Sequence, residues 1–158
     1  MLGSNTRLRE HIPAPRSAVY EALIDPAAVA IWMVPDGMTS RVHQFESREG
    51  GRFRISLTYE EPSAVGKTTA HTDTYHGYFA ELVPDEKVVQ VITFESDDPQ
   101  MLGEMTVTMT LADEGDGTQL LAEHANVPPG IRPEDNELGW RLSLDKLSRL
   151  LSGHRREV

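Results

Sequence analysis

The chain has 158 residues, a formal net charge of −10 at neutral pH and no cysteine. Its length suits one domain with a sizeable core, and 39% hydrophobic with 25% charged residues marks a globular chain, not a disordered one. Lack of cysteine excludes disulfides, thiolate metal sites and a cysteine nucleophile; fifteen Lys and Arg against twenty-five Asp and Glu, with no basic run longer than Arg155-Arg156, argue against nucleic acid as a partner.

The N-terminal stretch Met1 to Glu10 carries Arg7 and Arg9 with no apolar run behind them, unlike a secretory leader. No apolar run anywhere approaches the roughly 18 residues of a membrane span. A cytoplasmic protein without membrane attachment is expected. Thr6 to Ile12 reads as a short strand, followed by Pro13 and Pro15. Pro15 suits the first turn of a helix running to Ile24, with Val19 and Leu23 four apart on one face. Asp25-Pro26 then ends that helix and caps a second short one, Pro26 to Trp32.

From there the period changes to two. A strand is expected around Ser40 to Ser47, with Gly50-Gly51 as a tight hairpin turn. Next, Phe53, Ile55, Leu57 and Tyr59 alternate with Arg52, Arg54, Ser56 and Thr58, the pattern of a half-buried strand. Tyr75 to Val83 and Lys87 to Glu95 flank the turn Pro84-Asp85-Glu86. Met105 to Ala112 and Thr118 to Ala125 flank the loop Asp113 to Gly117. Met101, Met105 and Met109 recur every four residues, but the alternating Thr106, Thr108 and Thr110 favour a strand.

A long helix is expected over Pro133 to Ser152. Trp140, Leu144, Leu147 and Leu151 form its apolar stripe, which Leu138, Leu142 and Leu150 widen. Glu134, Asp135 and Glu137 sit where the helix dipole favours anions; Gly153 is placed to end the helix, ahead of His154, Arg155 and Arg156. The order is α+β: a strand, two short helices, an antiparallel sheet of about six or seven strands in all, and a closing amphipathic helix. No linker or repeat divides the chain, so residues 1–158 read as one domain, ordered over about 6–152.

Five local patterns give the chain a family likeness. They are Ile12-Pro13-Ala14-Pro15 with Val19 to Leu23; Asp25-Pro26 with Trp32 and Pro35-Asp36-Gly37; and Arg48 to Phe53 around the double glycine. The others are Gly77 to Pro84 with Val88-Val89-Gln90 and Phe94-Glu95, and Gly117-Thr118 with His124, Gly139-Trp140 and Leu144 to Leu147. In this order the chain resembles the START-like, or SRPBCC, helix-grip superfamily. Within it, the likeness is to bacterial proteins similar to the activator of the heat-shock-protein ATPase. The resemblance implies a curved sheet wrapped around the C-terminal helix, with a ligand space between them. Superfamily members bind small molecules, catalyse, or bind proteins, so fold alone does not choose.

Candidate ligand-site residues are those expected to face that space. The helix offers Trp140, Leu144 and Leu147, and the strand 52–59 offers Phe53, Ile55, Leu57 and Tyr59. Val107 and Met109 would add an adaptable wall beside Met105. Leu120, Ala122 and His124 share parity on the last strand. If Leu120 faces the helix, a neutral His124 imidazole does too, as a ligand's polar anchor or a base; the plain alternative is a histidine satisfied by a backbone carbonyl. The family likeness puts Trp32 near the cavity mouth, where it would stack on a ligand ring; the alternative is simple core.

The segment His71 to His76 invites a metal reading, but on a strand His71 and Asp73 face away from His76, and the reading preferred is a solvated loop. No metal or cofactor is expected. Nucleophile-elbow and phosphate-loop motifs are missing, and no catalytic residue is assigned, although Glu104 and Glu123 are the acids expected to border the sheet interior. The leading expectation is binding of a small apolar or amphipathic molecule. The alternatives are a chaperone-binding domain and a cyclase- or hydrolase-like enzyme. Pairing into a homodimer through sheet edges or helices is a candidate arrangement.

Overall fold

A computed structural model describes residues 4–35, 37–60 and 72–156, without the side chains of residues 4 and 153–156. The elements run β1 (Ser4–Ile12), α1 (Arg16–Ile24), α2 (Pro26–Trp32), β2 (Met38–Phe45), β3 (Arg52–Tyr59), β4 (Thr72–Val83), β5 (Lys87–Phe94), β6 (Glu104–Glu114), β7 (Gly117–Val127) and α3 (Pro133–Arg156), with a 3₁₀ turn at Pro99–Met101. All seven strands form one antiparallel sheet in the order β1-β7-β6-β5-β4-β3-β2. Curved around α3, this sheet makes the helix-grip architecture expected from the sequence. Among the described residues, no helix is long and apolar enough to cross a membrane.

The two short helices follow their local chemistry. Pro15 precedes α1 in an extended conformation, its carbonyl accepting from Val19 N at 3.1 Å. The Asp25 carboxylate accepts from Ala27 N at 3.0 Å, with Pro26 opening α2 behind it. At the end of α2 the Trp32 indole N–H donates to the Ala22 carbonyl at 2.9 Å, so this buried ring ties α2 to α1. The family likeness had set Trp32 at a cavity mouth; it stands instead in the core.

Strand parity places the core. Phe53 and Ile55 of β3, Val107 and Met109 of β6, and Leu120 and Ala122 of β7 are buried on the inner face. Leu144, Leu147 and Leu151 of α3 close over them. On the outer face, Arg54 holds Glu95 through two hydrogen bonds of 2.8 and 2.9 Å, and Ser56 meets Thr74 at 2.8 Å.

Some boundaries differ from expectation, each for a physical reason. β4 starts at Thr72, so Asp73 and Thr74 lie in a strand and are buried, not in a solvated loop; His71 and Asp36 lie outside the described residues. The Gly50-Gly51 hairpin is a longer loop, Glu46 to Gly51, pinned to β4 by Gly50 N to Phe79 O and Phe79 N to Gly51 O. Between β6 and β7 the turn shortens, because Glu114 pairs with Gly117 and Gly115 takes a φ of 58°. α3 continues through Gly153 to Arg156, so that glycine does not end it. Leu138 and Leu142 are exposed and do not widen the buried stripe.

Gly77 marks a place where β4 tolerates no side chain. A Cβ there would sit 1.9 Å from the Val91 carbonyl oxygen and 2.9 Å from the Phe53 ring. Backbone cannot yield as a flexible side chain does. Gly77→Ala is therefore expected to cost about 3 kcal/mol and lower the melting temperature by roughly 10 °C. A melting curve unchanged by this substitution would show that the β4–β5 spacing is looser than described.

Candidate functional site

At one end of the grip the helix and sheet stop touching. The cavity between them has a volume of about 390 Å³. β3 contributes Leu57 and Tyr59, β4 contributes Asp73 and Tyr75, β5 contributes Ile92 and Phe94, and β6 contributes Met105. The helix supplies Asp135, Asn136, Gly139, Trp140 and Ser143 from its N-terminal half. Met33 and Pro35, after α2, and Met38, which opens β2, close one side, and Gly130 to Arg132 close another.

The position follows from the strands' direction. On β3, Phe53 and Ile55 lie in the packed core, while Leu57 and Tyr59, farther along the same face, reach the cavity. On β6, Met105 lies in the cavity, and Val107 and Met109 in the core. On α3, Trp140 marks the changeover. Toward the C-terminus the helix buries Leu144, Leu147 and Leu151; toward the N-terminus it offers small or polar side chains that fill less space.

Of the candidate residues, the structure therefore brings Leu57, Tyr59 and Trp140 together in the cavity wall. It places Trp32, Phe53, Ile55, Val107, Met109, Leu120, Leu144 and Leu147 in the core. His124 stands behind Trp140, their ring centroids 4.6 Å apart. Glu104 and Glu123 are both exposed; Asp73 is the acid that the cavity buries. Asp73, read from the sequence as part of a loop, and Tyr75, read as the first residue of its strand, both line the cavity because β4 already begins at Thr72. Asn136 was legible, four residues before Trp140 on the same helical face.

Electrostatically the cavity is mostly apolar, with a polar minority. Burial pushes the Tyr75 phenol well above its ordinary range, so it stays protonated, with its hydroxyl 3.8 Å from Met33 Sδ. Arg132 at the margin is paired with Glu134 at 3.0 Å. With Asp73 and Asp135 also in the lining, no concentration of free positive charge awaits an anion among the described residues.

Behind the wall lies a buried polar cluster. Asn136 Nδ2 donates to Thr6 Oγ1 at 2.9 Å and stands 3.2 Å from His124 Nδ1, while Thr6 Oγ1 stands 2.6 Å from that same nitrogen. An amide N–H can only donate, so Nδ1 faces donors and acts as acceptor. The imidazole proton then resides on Nε2. The cluster joins β1, β7 and α3 and sets the height of the helix above the sheet.

Residues 13–152 match the family described as activator of Hsp90 ATPase homolog 1-like protein. The chain belongs to that family. Solved structures agree: protein CV1439 from Chromobacterium violaceum is 32% identical, covering 92% of this chain and 95% of its own, with a TM-score of 0.82. The AHSA1 protein from Silicibacter pomeroyi, 19% identical, covers 96% of this chain and 99% of its own at a TM-score of 0.78, a likeness of fold. No curated protein matches the chain. Membership in the activator-homologue family confirms the resemblance drawn from the sequence.

Burial also lowers the pKa of His124 from 6.5 to about 4. The unfolded chain takes up this proton as pH falls through about 6.5; the native state does not until about 4. Stability from this group is thus complete above pH 6.5 and declines by about 3 kcal/mol as pH falls to 4. Urea unfolding across that window should show a steeper acid-side loss for wild type than for His124→Phe. Parallel curves would rule out a buried neutral histidine.

Proposed function

We propose that the cavity between the sheet and the N-terminal half of α3 binds a small apolar or amphipathic molecule. The carrying observation is the cavity itself: its volume lies within the roughly 300–1,000 Å³ of small-molecule sites. Aromatic and aliphatic side chains dominate its wall, with a few polar groups to orient a ligand. Met33, Met38 and Met105 supply flexible, polarisable surface that adapts to ligand shape. The paired Arg132 and the nearby carboxylates favour an uncharged ligand, or one whose polar end is not anionic. No cofactor is invoked, and none of the lining residues is assigned a catalytic role.

A second reading, protein binding of the chaperone-activator kind, is supported by the family description and by Leu138 and Leu142, exposed one turn apart on α3. In that reading the chain stimulates the ATPase of a bacterial Hsp90, and the double variant Leu138→Ser, Leu142→Ser does not. A wild-type chain without effect on that ATPase removes it.

Gly139 supplies the test of the ligand reading. It lines the cavity, and a Cβ built on it meets nothing within 4 Å. Gly139→Leu therefore extends a side chain into the open space while removing a glycine from a helix interior, a gain of about 1 kcal/mol in helix propensity. Titrated with the uncharged dye Nile red, wild type should bind and Gly139→Leu should bind about tenfold more weakly or worse, a loss of about 1.4 kcal/mol. Its melting temperature should not fall. Equal binding by both, or none by wild type, counts against the cavity as the site.

A further inference from the structure

Two buried polar atoms among the described residues lack a hydrogen-bond partner: Gln90 Oε1 and His124 Nε2. Both side chains are almost wholly buried, at 4% and 1% exposure. Such atoms are costly in a core and call for an explanation. Their placement is related. Gln90 on β5 pairs with Val107 on β6, and Val107 pairs with His124 on β7. All three side chains are buried on the inner face, so the two orphaned groups flank one valine across two strand spacings, about 10 Å between backbones.

Valine is the shortest of the three. Gln90 and His124 both carry longer side chains, so an unpaired polar group stands on either side of Val107. The two groups are complementary. His124 Nδ1 accepts from Thr6 and Asn136, so Nε2 carries the proton and donates; Gln90 Oε1 accepts. One kind of group satisfies both at once: a hydroxyl, which accepts from Nε2–H and donates to Oε1.

The pair lies close to the cavity without lining it. Ile92 and Met105, a register pair in the cavity wall, stand one rung away on the same strands, two residues from Gln90 and Val107. That is about 7 Å along the sheet. Trp140 spans both places, lining the cavity and lying against the His124 ring.

We propose that Gln90 and His124 form a hydroxyl-recognition site just beyond the inner end of the cavity, behind Trp140. The cavity's ligand is then an apolar molecule bearing an alcohol or phenol group, which displaces a bridging water held there when the cavity is empty. This rests on the ligand reading above and sharpens it. His124 is a candidate anchor from the sequence alone; Gln90, a polar residue at an inward strand position, joins it through the sheet register.

The test compares 2-naphthol, 2-methoxynaphthalene and naphthalene as competitors of Nile red on the full chain. The methoxy compound accepts but cannot donate. Wild type should prefer 2-naphthol over the other two by about tenfold, the worth of one to two net hydrogen bonds. In Gln90→Leu the preference should shrink to within about threefold while the fold is retained, since an amide whose oxygen is unpaired is replaced by an apolar side chain of similar size. Gln90→Met serves as a second variant with the same expected outcome. Three competitors bound equally by wild type overturn the hydroxyl site and leave the cavity standing. A preference that survives both substitutions also overturns it. Failure of Nile red and all three compounds to bind overturns the cavity reading and this inference together.

Discussion

Trp140 sits at the level where helix and sheet part company, and the layout of the interior depends on it. Its ring meets Trp32 edge-on at 6.5 Å and tilts against His124 at 4.6 Å, while another part lines the cavity. Aromatic contacts of this kind add about 0.5–1.5 kcal/mol each beyond the area they bury. Trp32 in turn is fixed to the Ala22 carbonyl, so the two short helices, the long helix and β7 are referenced to one indole. A smaller residue at 140 would let the helix settle toward the sheet and erase the distinction between core and cavity.

That distinction is a gradient along α3. At 24 residues the helix is about 36 Å long. Its C-terminal half presents Leu144, Leu147 and Leu151, which fill the space beneath them. Its N-terminal half presents Asp135, Asn136, Gly139 and Ser143, which do not. Asn136, through Thr6 and His124, holds this emptier half at its height with hydrogen bonds in place of packing. A buried polar cluster of this sort costs stability relative to an apolar core unless every member is paired, and here Nε2 is not. The chain thus keeps an unfilled and partly unsatisfied interior where a filled one would be more stable, which is the pattern expected when a site is being maintained.

Much of the fold could be read from the residues. Alternation in Phe53-Ile55-Leu57-Tyr59 gave the buried face of β3, and Pro15 and Asp25-Pro26 gave the start of each short helix. The stripe from Trp140 to Leu151 gave the face of α3. The division of those faces into core and cavity was not legible. Parity says which way a side chain points, not how far away the opposite layer stands. Phe53 and Tyr59 carry the same signal, yet one is packed and the other borders open space. Asp73, weighed from the sequence only as a metal ligand in a loop, lines the cavity because pairing with Leu57 on β3 draws it into a strand. Leu138 and Leu142 looked like core by composition and lie on the exposed side by angle.

The ligand reading requires a small molecule to enter the space beside Trp140. Methyl NMR of protein labelled at methionine addresses it most directly, because the methionines fall on both sides of the boundary: Met33, Met38 and Met105 line the cavity, and Met109 lies in the sealed core. On titration with 2-naphthol, the methyl signals of Met33, Met38 and Met105 should shift in a saturable way while that of Met109 holds nearly still. Saturable shifts confined to other methionines, or no shift at all, would contradict the account.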